Sequence, residues 1–247
     1  MIFYKYKNIK FKKLNLSHCY GVTDVSNLEK VQKLNLSECK NVRDVSMLGN
    51  CEELILKNLK RITDVSMLGN VKKLDLSGCD KVTDVSMLGN VKTLDLSYCK
   101  GVKEVRDLVN CEELKLRGCG EVIELGNMKK VKKLNVTECG IEEIGDMKEL
   151  EELIVNKCDN LKGIKNIKNM KELRILNCEK LEEIENVDVK NIYIVGCERI
   201  KEIDIRESIN SLMIMDSNKE INIKNMNNLD FLITDDKRLE CEFNINS

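Results

Sequence analysis

Residues 71–90 read VKKLDLSGCDKVTDVSMLGN, and this unit returns with few changes along most of the chain. VKTLDLSYC follows at 91–99, and TDVSMLGN stands at both 63–70 and 83–90. A unit of twenty residues is too short to bury its own apolar face, so its copies must stack and share one continuous core. That requirement predicts a solenoid. It also removes the usual link between length and domain count, because each coil packs only on its neighbours.

Within the unit the leucines alternate. Pairs of the form LxL recur from Leu14/Leu16 and Leu34/Leu36 through Leu134/Val136 to Ile192/Ile194 and Leu212/Ile214. Period two means a strand with one face buried. About ten residues then remain to return to the next strand, which suits a tight 3₁₀ turn better than a helix. Asp84 reads as the start signal of that turn, its carboxylate accepting from the first N–H groups as a helix cap does. Its equivalents are Asp24, Asp44 and Asp64, then Glu104, Glu124, Glu143, Glu183 and Glu202, with Gly163 interrupting. The change from Asp to Glu goes with loss of the serine two places on, which gives the chain two dialects that meet near residue 100. A column of carboxylates also suits calcium, a hard cation that takes several oxygens; capping accounts for it without a metal.

Nine of the twelve cysteines share one repeat column: Cys19, Cys39, Cys79, Cys99, Cys119, Cys139, Cys158, Cys178 and Cys197. Leu59 and Ser217 fill the same column elsewhere, so the slot takes a small, largely apolar plug. The close CxxC pairs of zinc sites are absent from the sequence. Residues 1–10, with Phe3, Tyr4 and Tyr6 between lysines, suggest an N-terminal cap strand, residues 11–216 the solenoid, and 217–247 a degenerate repeat and C-terminal cap, all as one domain. Leu239, Cys241, Phe243 and Ile245 alternate as a last strand would. The aromatics gather towards the two ends, Tyr20 and Phe231 among them, which casts them as lids.

The charges are balanced, with 41 Lys and Arg against 42 Asp and Glu. That leaves no electrostatic footprint for nucleic acid or an anionic membrane. We expect no signal peptide and no transmembrane span, and hence a reducing, cytoplasmic setting. His18 is the single histidine, beside Cys19; with His18 facing out and Cys19 facing in, the two do not make a nucleophile pair. No phosphate loop or dinucleotide fingerprint is present. We expect no enzyme, no catalytic residue, no cofactor and no metal.

The combination of LxLSxC, VTDVSxL and a twenty-residue period resembles the leucine-rich-repeat family over residues 11–216. TDVSML is similar to the short repeats of internalins and of the phosphatase-regulator type, which carry DIxxL at this point. The cysteine slot resembles cysteine-containing repeats of F-box proteins, although those are longer and include a helix. TDVSMLGNV also resembles repeat proteins of large DNA viruses of amoebae, which would place the protein in host cytoplasm or a virion. The resemblance implies an α/β-class leucine-rich-repeat solenoid, right-handed, with a parallel β-sheet on the concave face. Short 3₁₀ turns or extended segments would form the convex face, with little true α-helix. It further implies a monomeric protein-binding module or adaptor whose partner is an unidentified protein; the alternative is a structural component of a larger assembly or particle.

The residue between each pair of strand leucines points outward, and so does the one after the pair. Over the first coils these columns are short and polar (Asn15, Asn35, Asp75, Asp95; Ser17, Ser37, Ser77, Ser97). In the later coils they become Ile154, Leu176, Tyr193, Val195, Met213 and Met215. Apolar residues clustered on adjacent outward strands mark an interface, and these six are the expected partner-binding residues.

Overall fold

The computed structural model describes residues 11–126, 128–205, 209–218, 220–224, 229–236 and 239. The chain divides into two compact units, Met1–Glu121 and Val122–Ser247. The boundary falls one coil past the change of dialect.

Unit 1 is a stack of in-register coils. Its strands are β1 (Lys13–Asn15), β2 (Lys33–Asn35), β3 (Glu53–Ile55), β4 (Lys73–Asp75), β5 (Thr93–Asp95) and β6 (Glu113–Lys115). Each pairs in parallel with the next at a twenty-residue offset, Leu34 with Leu54 and Leu54 with Leu74 for example. Both leucines of each interior pair are buried, and Leu36, Leu56, Leu76 and Leu96 have no exposed surface.

In four of the six coils of unit 1 the outward residue turns the chain at the end of its three-residue strand. Asn35 and Asp95 each accept the backbone N–H of the serine two positions on at 2.9 Å, and Asp75 does so at 3.0 Å. The residue after this Asx turn is left-handed, at His18, Glu38, Gly78 and Tyr98, and Asn58 and Gly118 take the same backbone region after Ile55 and Lys115, which form no such turn. The cysteine slot follows at once. A second Asx turn comes seven residues later. Asp24, Asp44, Asp64 and Asp84 each accept the N–H of Ser26, Ser46, Ser66 or Ser86 at 2.9 Å. Those backbone bonds, joined by the serine hydroxyls, hold the four carboxyls below their ordinary range. The serines open the 3₁₀ turns Ser26–Leu28, Ser46–Leu48, Ser66–Leu68 and Ser86–Leu88. The aspartate therefore acts one residue before the capping position, which valine occupies.

In the cysteine column the thiol is a donor as well as a plug. Cys39 Sγ–H donates to Leu16 O at 3.0 Å, and Cys79, Cys99 and Cys119 donate to Leu56, Leu76 and Leu96 O at 3.1 Å. Each acceptor lies in the preceding coil and also takes the N–H of its own coil's slot residue, Cys19 N to Leu16 O, Leu59 N to Leu56 O, Cys79 N to Leu76 O and Cys99 N to Leu96 O. The two lone pairs of one carbonyl are thus used by two successive coils. Burial pushes the Cys79 thiol up to about 12 and the Cys119 thiol up to about 11. Cys19 departs from the expected burial and is exposed, because no preceding coil among the described residues covers the first slot.

These environments predict a sharply divided thiol reactivity. With a neutral alkylating reagent near pH 8, native protein should label at Cys19 well ahead of the buried column, since the thiolate is the reactive form. Denaturation should release the rest. Intact-mass and peptide mapping would check this, and fast native labelling of Cys79 or Cys99 would contradict it.

Unit 2 keeps the front sheet and changes the return. Its front strands are β7 (Lys133–Asn135), β9 (Glu152–Asn156), β11 (Met170–Leu176), β13 (Val189–Val195), β15 (Ile209–Met215) and β17 (Leu229–Thr234). A second parallel sheet forms behind them from β8 (Glu143–Gly145), β10 (Gly163–Lys165), β12 (Glu183–Val187), β14 (Glu202–Ile205) and β16 (Asn222–Lys224). The reason is local. Glutamate lacks the short reach of the Asx turn, and the serine that opened the 3₁₀ turn is gone. In its place stand alternating EIE, GIK and EID segments whose Ile144, Ile164, Ile184 and Ile203 face the core, a pattern that suits strands. Glu143, Glu183 and Glu202 are accordingly first residues of strands, which corrects their expected role as caps. Lysines and glutamates pair along this sheet, Lys165 with Glu183 at 3.0 Å and with Glu185 at 3.3 Å.

Two terminal expectations also change. Tyr20 and Phe231, expected as lids, are each 56% exposed. Leu239 is buried but helical, not part of a strand. Residues 1–10, Cys241, Phe243 and Ile245 lie outside the described residues.

Candidate binding surface

The six expected residues come together. All lie on the outward face of the front sheet of unit 2, and strand register sets their neighbours. Ile154 pairs with Arg174, Arg174 with Tyr193, and Tyr193 with Met213 in one row. Leu176, Val195 and Met215 form the next row. Each of the six is half-buried, since its neighbours in adjacent strands cover part of it.

Polar groups border this band and are paired among themselves. Lys133 meets Glu152 at 2.8 Å, and Ser211 Oγ–H donates to Asn191 Oδ1 at 2.9 Å. Arg174 lies over the Tyr193 ring, 5.3 Å from its centroid, while its Nε–H donates to Glu172. The apolar band therefore has a satisfied rim, the usual anatomy of a recognition patch. It is a face, not a cavity. A groove of about 430 Å³ in unit 2 lies elsewhere, along Ile123–Gly126 and Glu142–Gly145.

Unit 1 contrasts with this face. Asn35, Asp75 and Asp95 point outward as expected, yet their side-chain oxygens are committed to the Asx turns. Lys57 with Asp75 and Lys115 with Asp95 close ion pairs across neighbouring strands at 3.2 and 3.5 Å. Those residues are turn-formers first. His18 stands edge-on to Tyr20, ring centroids 6.4 Å apart. Among the described residues no three His, Cys, Asp or Glu side chains converge to hold a metal. No described helix is long and apolar enough to cross a membrane.

A family model described as Leucine Rich repeat matches residues 70–88, within the unit that sets the period. The fold of this chain is the leucine-rich-repeat solenoid. Solved structures of similar arrangement include an internalin of Listeria monocytogenes, with 18% identity, 88% of this chain and 86% of that one covered, and a TM-score of 0.41. The functional domain of InlJ from Listeria monocytogenes, described as including a cysteine ladder, gives 16% identity, 87% and 62% coverage, and 0.42. A leucine-rich cell surface protein of Faecalibacterium prausnitzii gives 11% identity, 87% and 79% coverage, and 0.25. No curated protein sequence matches this one.

The leucine-rich-repeat register adds two outward residues to this face, Ile233 and Phe231, the latter expected as a lid. β17 continues the front sheet beyond β15, with Ser211 opposite Phe231 and Met213 opposite Ile233. Phe231 is 56% and Ile233 38% exposed. Leu232 and Thr234 occupy the two inward positions, and the threonine hides the LxL signature. Counting twenty on from Leu212 finds this strand. A second apolar row lies on the turn side of unit 1, where Met47, Met67 and Met87 are 46%, 61% and 63% exposed. The methionine of each TDVSML carries that signal.

Proposed function

We propose that this leucine-rich-repeat chain is a non-catalytic recognition module that docks a protein partner on the outward sheet face of unit 2. One observation carries the reading: Leu176, Val195 and Met215 form one apolar row across β11, β13 and β15, Tyr193, Met213 and Ile233 form a second across β13, β15 and β17, and Ile154 and Phe231 flank them. A rigid stack of coils offers such a face without rearrangement. Tyrosine supplies area at small entropic cost, and methionine adapts to an irregular apolar partner. The rim pairs leave no net charge to recruit a strongly charged ligand, so the fitting partner is an apolar protein surface.

The test separates binding from folding. The core beneath is filled by Ile192, Ile194, Leu212 and Ile214, each at most 2% exposed. Tyr193→Ser combined with Met213→Ser should therefore leave the melting temperature nearly unchanged. Binding to the partner recovered by affinity purification from the native source should weaken by at least about 2 kcal/mol. Met67→Ser serves as the control on the turn side. Loss of binding in that control, with none in the double variant, would move the interface to the methionine row.

A further inference from the structure

Interior coils of unit 1 are near copies, so a departure from the repeat is not demanded by the fold. One departure is built from three residues. At the left-handed position Tyr98 takes φ +61°, where its neighbours carry Asn58, Gly78 and Gly118. At the outward position after the leucine pair stands Arg117, where Ser77 and Ser97 precede it. The Arg117 guanidinium lies 5.5 Å from the Tyr98 ring centroid. Gly118 is the third part: a Cβ there would sit 2.6 Å from the Tyr98 ring, so only glycine lets the ring lie across the next coil.

We propose that Tyr98 and Arg117 form a docking point for a carboxylate on an acidic segment of a protein partner. The ring attracts the guanidinium lying over it, and Arg117 is exposed, so its N–H donors face solvent. Among the described residues no carboxylate stands within ion-pair distance of Arg117. The molecule shows the completed form of the same device in unit 2. There Arg174 lies over Tyr193 and its Nε–H donates to the Glu172 carboxylate. Arg117 has the ring without the acid, and a planar two-oxygen acceptor is what its N–H donors fit. The positive charge supplies the complementarity, since Lys115 beside it is already paired with Asp95.

The fold also provides a silent variant. Asn58 lies over Gly78 and Asn177 over Gly196 in the arrangement that Tyr98 makes with Gly118. Tyr98→Asn thus reproduces a pairing the protein already uses, and asparagine tolerates the left-handed backbone better than tyrosine does.

The experiment titrates the full chain at low salt with acetyl-Gly-Glu-Glu-Glu-Gly-amide and with its glutamine counterpart, read by calorimetry and by the Arg117 Nε–H resonance. Saturable binding of the glutamate peptide alone, moving that resonance, is expected. Arg117→Lys should weaken it about tenfold, because an ammonium cannot make the two-pronged contact. Tyr98→Asn should weaken it about threefold or more, with a melting temperature at or above that of the parent. Equal binding of the glutamine peptide, no saturable binding, or full affinity in Arg117→Lys would overturn the proposal. So would a Tyr98→Asn protein that is less stable, which would make the ring a packing element, or a response to inorganic phosphate alone.

Discussion

Leu76→Ala should lower the unfolding free energy by about 2–5 kcal/mol, the range for truncating a fully buried leucine. Leu76 has no exposed surface, and β4 is paired on both sides, with β3 and with β5. A void there loosens two coil-to-coil interfaces, and in a stack of nearest-neighbour contacts both losses count. Leu16 is the matched position in the first coil, and it is only half-buried. Leu16→Ala should cost clearly less. Urea unfolding followed by circular dichroism would measure both, and equal losses would mean that the coils do not act as independent neighbours.

Gly69→Ala should destabilise by about 1–3 kcal/mol through overpacking. The cause is not backbone freedom, since Gly69 has φ −59° in ordinary right-handed conformation. The cause is the next coil: a Cβ at Gly69 would stand 2.3 Å from Met87 O, and one at Gly49 would stand 2.2 Å from Met67 O. Backbone on both sides cannot yield as a flexible side chain would. Glu29 fills this position in the first coil and Val109 in the fifth. Gly21→Ala is the control, because nothing lies within 4 Å of a Cβ there, and it should be close to neutral. The comparison needs only melting curves of the two variants. A neutral Gly69→Ala would show that the turns of neighbouring coils slide apart more freely than their spacing suggests.

Much of the candidate surface could be read from the letters. Tyr193 and Met213 were placed side by side by counting repeats, and the pairing of β13 with β15 puts them there. Phe231 and Ile233 were not, because Thr234 breaks the LxL signature while still filling an inward position. Asn35, Asp75 and Asp95 show the opposite failure. Their direction was legible, but an outward amide or carboxylate is free to bind a partner or its own backbone, and only the turn geometry shows the second choice.

The twenty-residue period, the inward and outward alternation of each strand and the cysteine slot follow from the amino-acid order alone. They do so because a regular repeat places residue i over residue i+20, and burial then needs only the right side chain at the right count. The tertiary structure decided whether a return segment closes as a 3₁₀ turn or joins a second sheet, and whether the first cysteine is covered. It also decided which outward charges find a partner. Local letters permit a strand in the return, but whether it pairs, and whether a thiol is covered or a charge finds a partner, depends on the neighbouring coils, where a shift of an ångström or a missing neighbour changes the outcome while the spacing of letters stays the same.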